Sequence, residues 1–268
     1  MLQVEAVQFH KFMSNGRTKP ALMTCVDAHG VRSEYVVKLR ASECAASGLL
    51  NEVLASELAE HFCIPHPSSA IVIITEDLVA ALELLLEAQH VQVFASSLGP
   101  NFGTVKMNNL TTFVQDRYLD DKQMQNAFNI FAFDTLVQNP DRSRANPNLG
   151  LFGNEIEIYD HDSAFSFCSD IFYRVASADQ RREMESWRAT KQAYGAQHVL
   201  YRALARQTHN TGFFYEKLRN LPEHFVVSLS DALPAELRTD TLPMIDEYLS
   251  DMPTRASVFI EDLLRRLA

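Results

Sequence analysis

Asp141 and Asn146 lie five positions apart in the loop Asn139-Pro-Asp141-Arg142-Ser-Arg-Ala-Asn146-Pro-Asn148, and a second carboxylate follows at Asp160. Hard oxygen donors in that number suit a magnesium ion, which takes one or two carboxylates and leaves the rest of its octahedron to water and substrate phosphates. An acid able to orient a nucleophile, beside a metal held by a carboxylate and an amide oxygen, is what magnesium-dependent phosphoryl transfer asks of a protein. Asp141 is therefore the candidate for accepting the attacking hydroxyl's proton, and Asn146 and Asp160 are the candidate metal ligands.

Spacing alone does not choose this loop. Asp-x-x-x-x-Asn occurs three times, as Asp121 with Asn126, Asp134 with Asn139, and Asp141 with Asn146. The first pair straddles a predicted helix start and the second ends that helix, where caps and an exposed polar face would account for them. Only the third sits in a loop after a helix, with a hairpin behind it. Leu149 to Phe152 and Glu155 to Tyr159 are apolar-rich runs separated by Gly153-Asn154, a turn pair that accepts positive φ. Pairing them would return Asn146 and Asp160 to the same neighbourhood. The bland alternative is a polar loop whose Asp and Asn merely make Asx-turns.

The elements ahead of the loop bear on that choice. Ala21 to Val26 and Glu34 to Leu39 read as strands joined by the turn Asp27-Ala-His-Gly30, and Ser47 to Phe62 reads as a helix stopped by Ile64-Pro-His-Pro67 before a strand at Ile71 to Ile74. Lys38 on a strand, fourteen residues before Glu52 on the next helix, matches the order of a lysine that holds nucleotide phosphates and the glutamate that orients it. Either alone would be an ordinary solvated side chain. The turn Ser14-Asn15-Gly16-Arg17-Thr18 could cradle phosphate with its backbone N–H groups, making Ser14, Gly16 and Thr18 candidate nucleotide contacts; a plain hairpin turn is the alternative.

Residues 77 to 93 read as helical, and Gly99-Pro-Asn-Phe-Gly103 as a connector that breaks the chain before Thr104 to Met107. A boundary there gives a β-rich N-terminal lobe over 1–105 and a larger, mostly helical lobe over 106–268. The helix from Lys122 to Gln138 carries a nearly continuous apolar stripe. Further helices are expected near 178 to 190, 195 to 206, 212 to 219 and 241 to 267, with Trp187 and the phenylalanines at 128 to 133 in the core.

With 268 residues, 47% apolar and 22% charged, the chain can bury a sizeable core. A net charge of -10 would repel a nucleic-acid backbone, so nucleic acid is not an expected partner. Cys25, Cys44, Cys63 and Cys168 form no C-x-x-C pair, which favours reduced thiols. No run approaches the ~18 apolar residues of a membrane span and Met1 to Gln8 lacks a signal-like pattern, so a cytoplasmic protein is expected. Histidine spacing for a zinc hydrolase, a G-x-S-x-G elbow and a Walker lysine are all missing.

The runs Asn139-Pro140-Asp141-Arg142, Asn146-Pro147-Asn148-Leu149 and Ile158-Tyr159-Asp160-His161, with Tyr35-Val-Val-Lys38 and Asn51-Glu52 before them, resemble the short branch of the HipA-like kinases. That resemblance implies an α+β, bilobal protein-kinase-like fold, ATP with Mg2+ as cofactors, and a serine or threonine of a protein as acceptor. It implies Lys38 on the nucleotide phosphates, Glu52 orienting it, Asp141 as the catalytic aspartate, and Asn146 and Asp160 on the metal. It also admits a regulatory partner protein. A small-molecule acceptor on the same fold, or a pseudokinase that binds nucleotide without transfer, are the alternatives.

Overall fold

The structure, a computed structural model, describes residues 1–13, 19–42, 45–184, 187 and 196–268. The chain divides into two compact units that exchange segments. The first is Met1–Val53, Pro67–Asn108 and Leu233–Thr239; the second is Leu54–His66, Asn109–Ala232 and Asp240–Ala268.

In the first unit five strands close into a barrel: β1 (Leu2–Phe12), β2 (Ala21–Val26), β3 (Arg32–Lys38), β4 (Ser69–Ile74) and β5 (Gly99–Val105), in the order β1-β2-β3-β5-β4. Parallel pairing of Leu2–Glu5 with Ala70–Ile73 completes the ring. Inward residues Val4, Ala6, Met23, Cys25, Tyr35, Val37 and Val72 form its core, as strand alternation requires. The Asp27–Gly30 turn is held by Asp27 Oδ1, which accepts from the backbone N–H groups of His29 and Val31, and Gly30 supplies the positive φ.

The expected connector at 99 to 103 is instead strand β5, hydrogen-bonded to β3 on one side and β4 on the other. Its glycine serves close approach rather than flexibility: a Cβ on Gly103 would stand 2.7 Å from Val72 Cγ2. The helix expected over 77 to 93 is likewise two, α2 (Glu76–Leu82) and α3 (Ala88–Ala95), with Leu84 and Leu85 exposed in the turn between them.

Helix α1 (Ala45–His61) contributes its first half to the first unit and its second half to the other. It ends one turn before the prolines: Cys63 takes φ +52° and donates to Glu60 O, while Ile64 donates to Ala59 O, the paired bonds of a Schellman motif. In the second unit α4 (Asp121–Leu136) opens on a capping box between Asp120 and Gln123, so Asp120 rather than Asp121 is the cap. Phe133 on its buried face meets Phe62 edge to face, and Phe62 in turn stacks on Phe214 and Phe214 on Phe259. A three-stranded sheet of β6 (Thr111–Thr112), β7 (Leu149–Phe152) and β8 (Glu155–Ile158) follows.

The rest is helical: α5 (Ile171–Val175), α6 (Ala178–Met184), α7 (Tyr201–Leu204), α8 (Gly212–Arg219), α9 (Phe225–Ala232) and α10 (Leu242–Leu267). The helix expected over 195 to 206 shrinks to α7, because residues 197–199 pair with the loop at 142–144. Phe128, Phe131, Phe133 and Trp187 are buried, as expected. Among the described cysteines Cys25, Cys63 and Cys168 are free, and burial pushes the Cys25 and Cys168 thiols up to about 12. Among the described residues no helix is long and apolar enough to cross a membrane.

Candidate active site

Lys38 ends β3 opposite Phe102, and the chain after it is fixed by side chains rather than left as a loop. Asn101, fully buried, accepts from Arg40 N at 2.7 Å and donates to Ser97 O and Gly99 O. Ser97 Oγ accepts from Ala41 N. With its strand end held, Lys38 is only 8% exposed and its Nζ lies 2.5 Å from Oε1 of Glu52, which is 2% exposed on α1. The solvated-lysine reading therefore fails. A buried ammonium is tolerated only with a partner such as this. Ser14, Gly16 and Thr18 fall outside the described residues.

In the second unit, α4 delivers the chain to the loop through Gln138 at φ +50°. Asn139 Oδ1 accepts from Asp141 N at 3.1 Å, an Asx-turn that aims the Asp141 side chain. Asn146 Nδ2 donates to Asp141 Oδ2 at 2.8 Å and Asn148 Nδ2 approaches the same oxygen at 3.4 Å. Ser143 braces the loop from inside, its N–H donating to the carbonyls of Asp141 and Asn146 and its Oγ accepting from Asn146 N. The Asx-turn alternative is thus half right. The turn belongs to Asn139, and it leaves Asp141 and Asn146 directed at each other.

The hairpin turns at Gly153, φ +60°, with Leu149 opposite Ile158. One step further Tyr159 N donates to Asn148 O at 3.2 Å, so the chain flanking Asp160 is bonded to the chain flanking Asn146. Asp160 itself takes φ +63°, a left-handed conformation that Asp tolerates better than most residues. Burial raises the Tyr159 phenol against the opposing effect of Arg142.

Three participants were not visible as such in the sequence. Arg142, 1% exposed, donates through Nε to Asp134 Oδ2 at 2.6 Å, through Nη1 to Asn148 O at 2.5 Å and Tyr159 O at 3.2 Å, and through Nη2 to His161 Nε2 at 3.0 Å. Asp134 is therefore a fully buried ion-pair partner, not part of an exposed polar face. Burial alone would raise its carboxyl, but the Arg142 charge and the hydrogen bond from His198 outweigh that and hold it below the ordinary range. His198 completes the set, its Nε2 lying 2.9 Å from the same Asp134 oxygen. A signal for Asp134 existed: it stands within Ile130-Phe-Ala-Phe-Asp134-Thr-Leu136, where no face is left for solvent. Nothing local marked His198.

Among the described residues no group of three or more His, Cys, Asp or Glu side chains gathers into a metal cluster.

No match is found among curated protein sequences. Among solved structures the chain is similar to the proinflammatory kinase CtkA of Helicobacter pylori, at 13% identity and TM-score 0.47, covering 91% of this chain and 94% of that one. It is also similar to the Golgi casein kinase, at 11% identity and TM-score 0.44, covering 98% and 73%. A family model described as HipA-like kinase matches residues 6–243, nearly the whole span from the barrel to the last helix, and the chain belongs to the HipA-like kinase family.

Proposed function

We propose that this kinase transfers the γ-phosphoryl group of ATP, with Mg2+ as its cation, to a serine or threonine hydroxyl of a protein. The buried Lys38–Glu52 pair carries the reading, because a lysine withdrawn from water and oriented by a glutamate is built to meet a second anion. Lys38 would hold the nucleotide phosphates, and Glu52 would keep its ammonium aimed and charged. Asp141, oriented by Asn139 and Asn146, would take the proton of the attacking hydroxyl.

The donor chemistry fits a hard cation. Asn146 commits its Nδ2 to Asp141, which leaves Oδ1, an oxygen, for a metal, and Asp160 supplies the carboxylate. When bound, the ion would neutralise charge on the phosphates. A protein acceptor is favoured over a small molecule by α5, close behind the Asp160 segment, where Ile171, Phe172 and Val175 are 67%, 74% and 77% exposed. Apolar side chains grouped in this way mark contact surfaces.

Labelled ATP with Mg2+ and a panel of protein and metabolite acceptors tests the proposal. Asp141→Ala should bind ATP yet turn over at least ~100-fold more slowly, the scale of a lost acid–base group. Asp160→Ala should lose metal-dependent nucleotide binding. Equal turnover by Asp141→Ala would remove its role, and transfer to metabolites alone would overturn the protein acceptor.

A further inference from the structure

We propose that Asp134, Arg142 and His198 form a positioning unit that sets the metal affinity of the site, with His198 acting through the other two. The inference rests on reading Asn146 and Asp160 as the metal ligands. Asp160 stands between Tyr159 and His161, and Arg142 grips both, one by its carbonyl and the other by its ring. The same guanidinium holds the carbonyl of Asn148, just ahead of strand β7 and two residues after Asn146. One planar fork thus spaces the two chain segments that carry the ligands.

The fork keeps its place because Asp134 neutralises it, and Asp134 keeps its rotamer because His198 bonds the same oxygen. Leu200 N donates to His198 Nδ1 at 3.1 Å, so Nε2 carries the proton and His198 is the donor to Asp134. Phe131 meets the imidazole edge to face at 5.0 Å, fixing its plane. The backbone reinforces the side chains: Val199 N donates to Arg142 O, Arg144 N donates to Gln197 O, and Ser143 bridges His198. Residues 197–200 therefore back the loop twice, by ladder and by imidazole. Outer partners of this kind act on a metal by fixing what its ligands can do.

The test measures binding of Mn2+ to the full chain in the presence of ADP, by loss of the free-ion electron paramagnetic resonance signal, alongside metal-free ADP binding by calorimetry. His198→Leu should weaken Mn2+ binding ~10-fold and leave metal-free ADP affinity unchanged. His198→Gln, whose amide can still donate to Asp134, should recover most of the loss. Arg142→Lys, which keeps a charge opposite Asp134 but lacks the fork, should lose Mn2+ affinity like His198→Leu. Wild-type Mn2+ affinity in a folded His198→Leu overturns the inference, as does parallel loss of metal-free ADP binding. Should His198→Leu not fold, Arg142→Lys losing affinity while His198→Gln keeps it supports the unit, and wild-type affinity in both overturns it. No Mn2+ binding by the wild type would sink the ligand reading itself, whereas wild-type binding with unaltered variants sinks this inference alone.

Discussion

Lys38 and Glu52 face each other almost out of reach of water, and desolvating two charges can cost as much as their attraction returns. Removing one partner is a different matter, because it strands the other. Glu52→Ala should lower unfolding free energy by ~3 kcal/mol, whereas Lys38→Met with Glu52→Leu should regain most of it while phosphoryl transfer stays lost. Urea titrations beside a transfer assay check this; a double variant as unstable as Glu52→Ala would mean the pair is retained for stability. The Lys38–Glu52 pairing and the Asp141–Asn146 contact were legible because the order of polar residues along elements survives in a linear reading. Arg142, Asp134 and His198 were not, because a buried ion pair is defined by what surrounds it. The apolar neighbours of Asp134 mark it as buried, but nothing along the chain names the Arg142 and His198 that pair with it.

At the level of elements, the prolines after α1 suggested where the helix stops, but the stop is made by Cys63 in a left-handed conformation that glycine adopts freely. Holding a non-glycine residue there costs ~1 kcal/mol, offset in part by glycine's larger entropy when unfolded. Cys63→Gly should therefore stabilise the protein by no more than about 0.5 kcal/mol without touching transfer. A shift of the denaturation midpoint to lower urea would show that the thiol contributes more than the strain. Helices α8 and α10 were legible from periodicity, since each buries one face, whereas β2, β4, α1 and α4 were legible as apolar runs bounded by turn and cap residues. Strand β5 was not. Its glycines and proline have the composition of a loop, and the reason Gly103 belongs in a strand is a methyl group of Val72 on another one.

Across the whole molecule, nothing in the sequence of Leu54–His66 or Leu233–Thr239 announces which unit they join. The net charge of -10 and a pI of about 5.4 make self-repulsion a molecule-wide term that weakens as pH falls. Glu157, raised by burial and by Glu155, works in the same direction, because the folded chain takes up its proton first. Asp134 works oppositely: its folded carboxyl is held down, so the unfolded chain is protonated first and stability is lost below about 4. The melting temperature should peak between about pH 5 and 6 and fall steeply under pH 4. A calorimetric series that keeps rising into acid would refute this balance. Within one stretch of the second unit Gln138, Asn148, Asp160 and Phe165 all hold positive φ, and the first and last are tied together, Phe165 N donating to Val137 O and Ser166 Oγ to Gln138 O. Four such kinks would relax in a free peptide, so the loop's shape is on loan from its surroundings and cannot be transplanted with its letters.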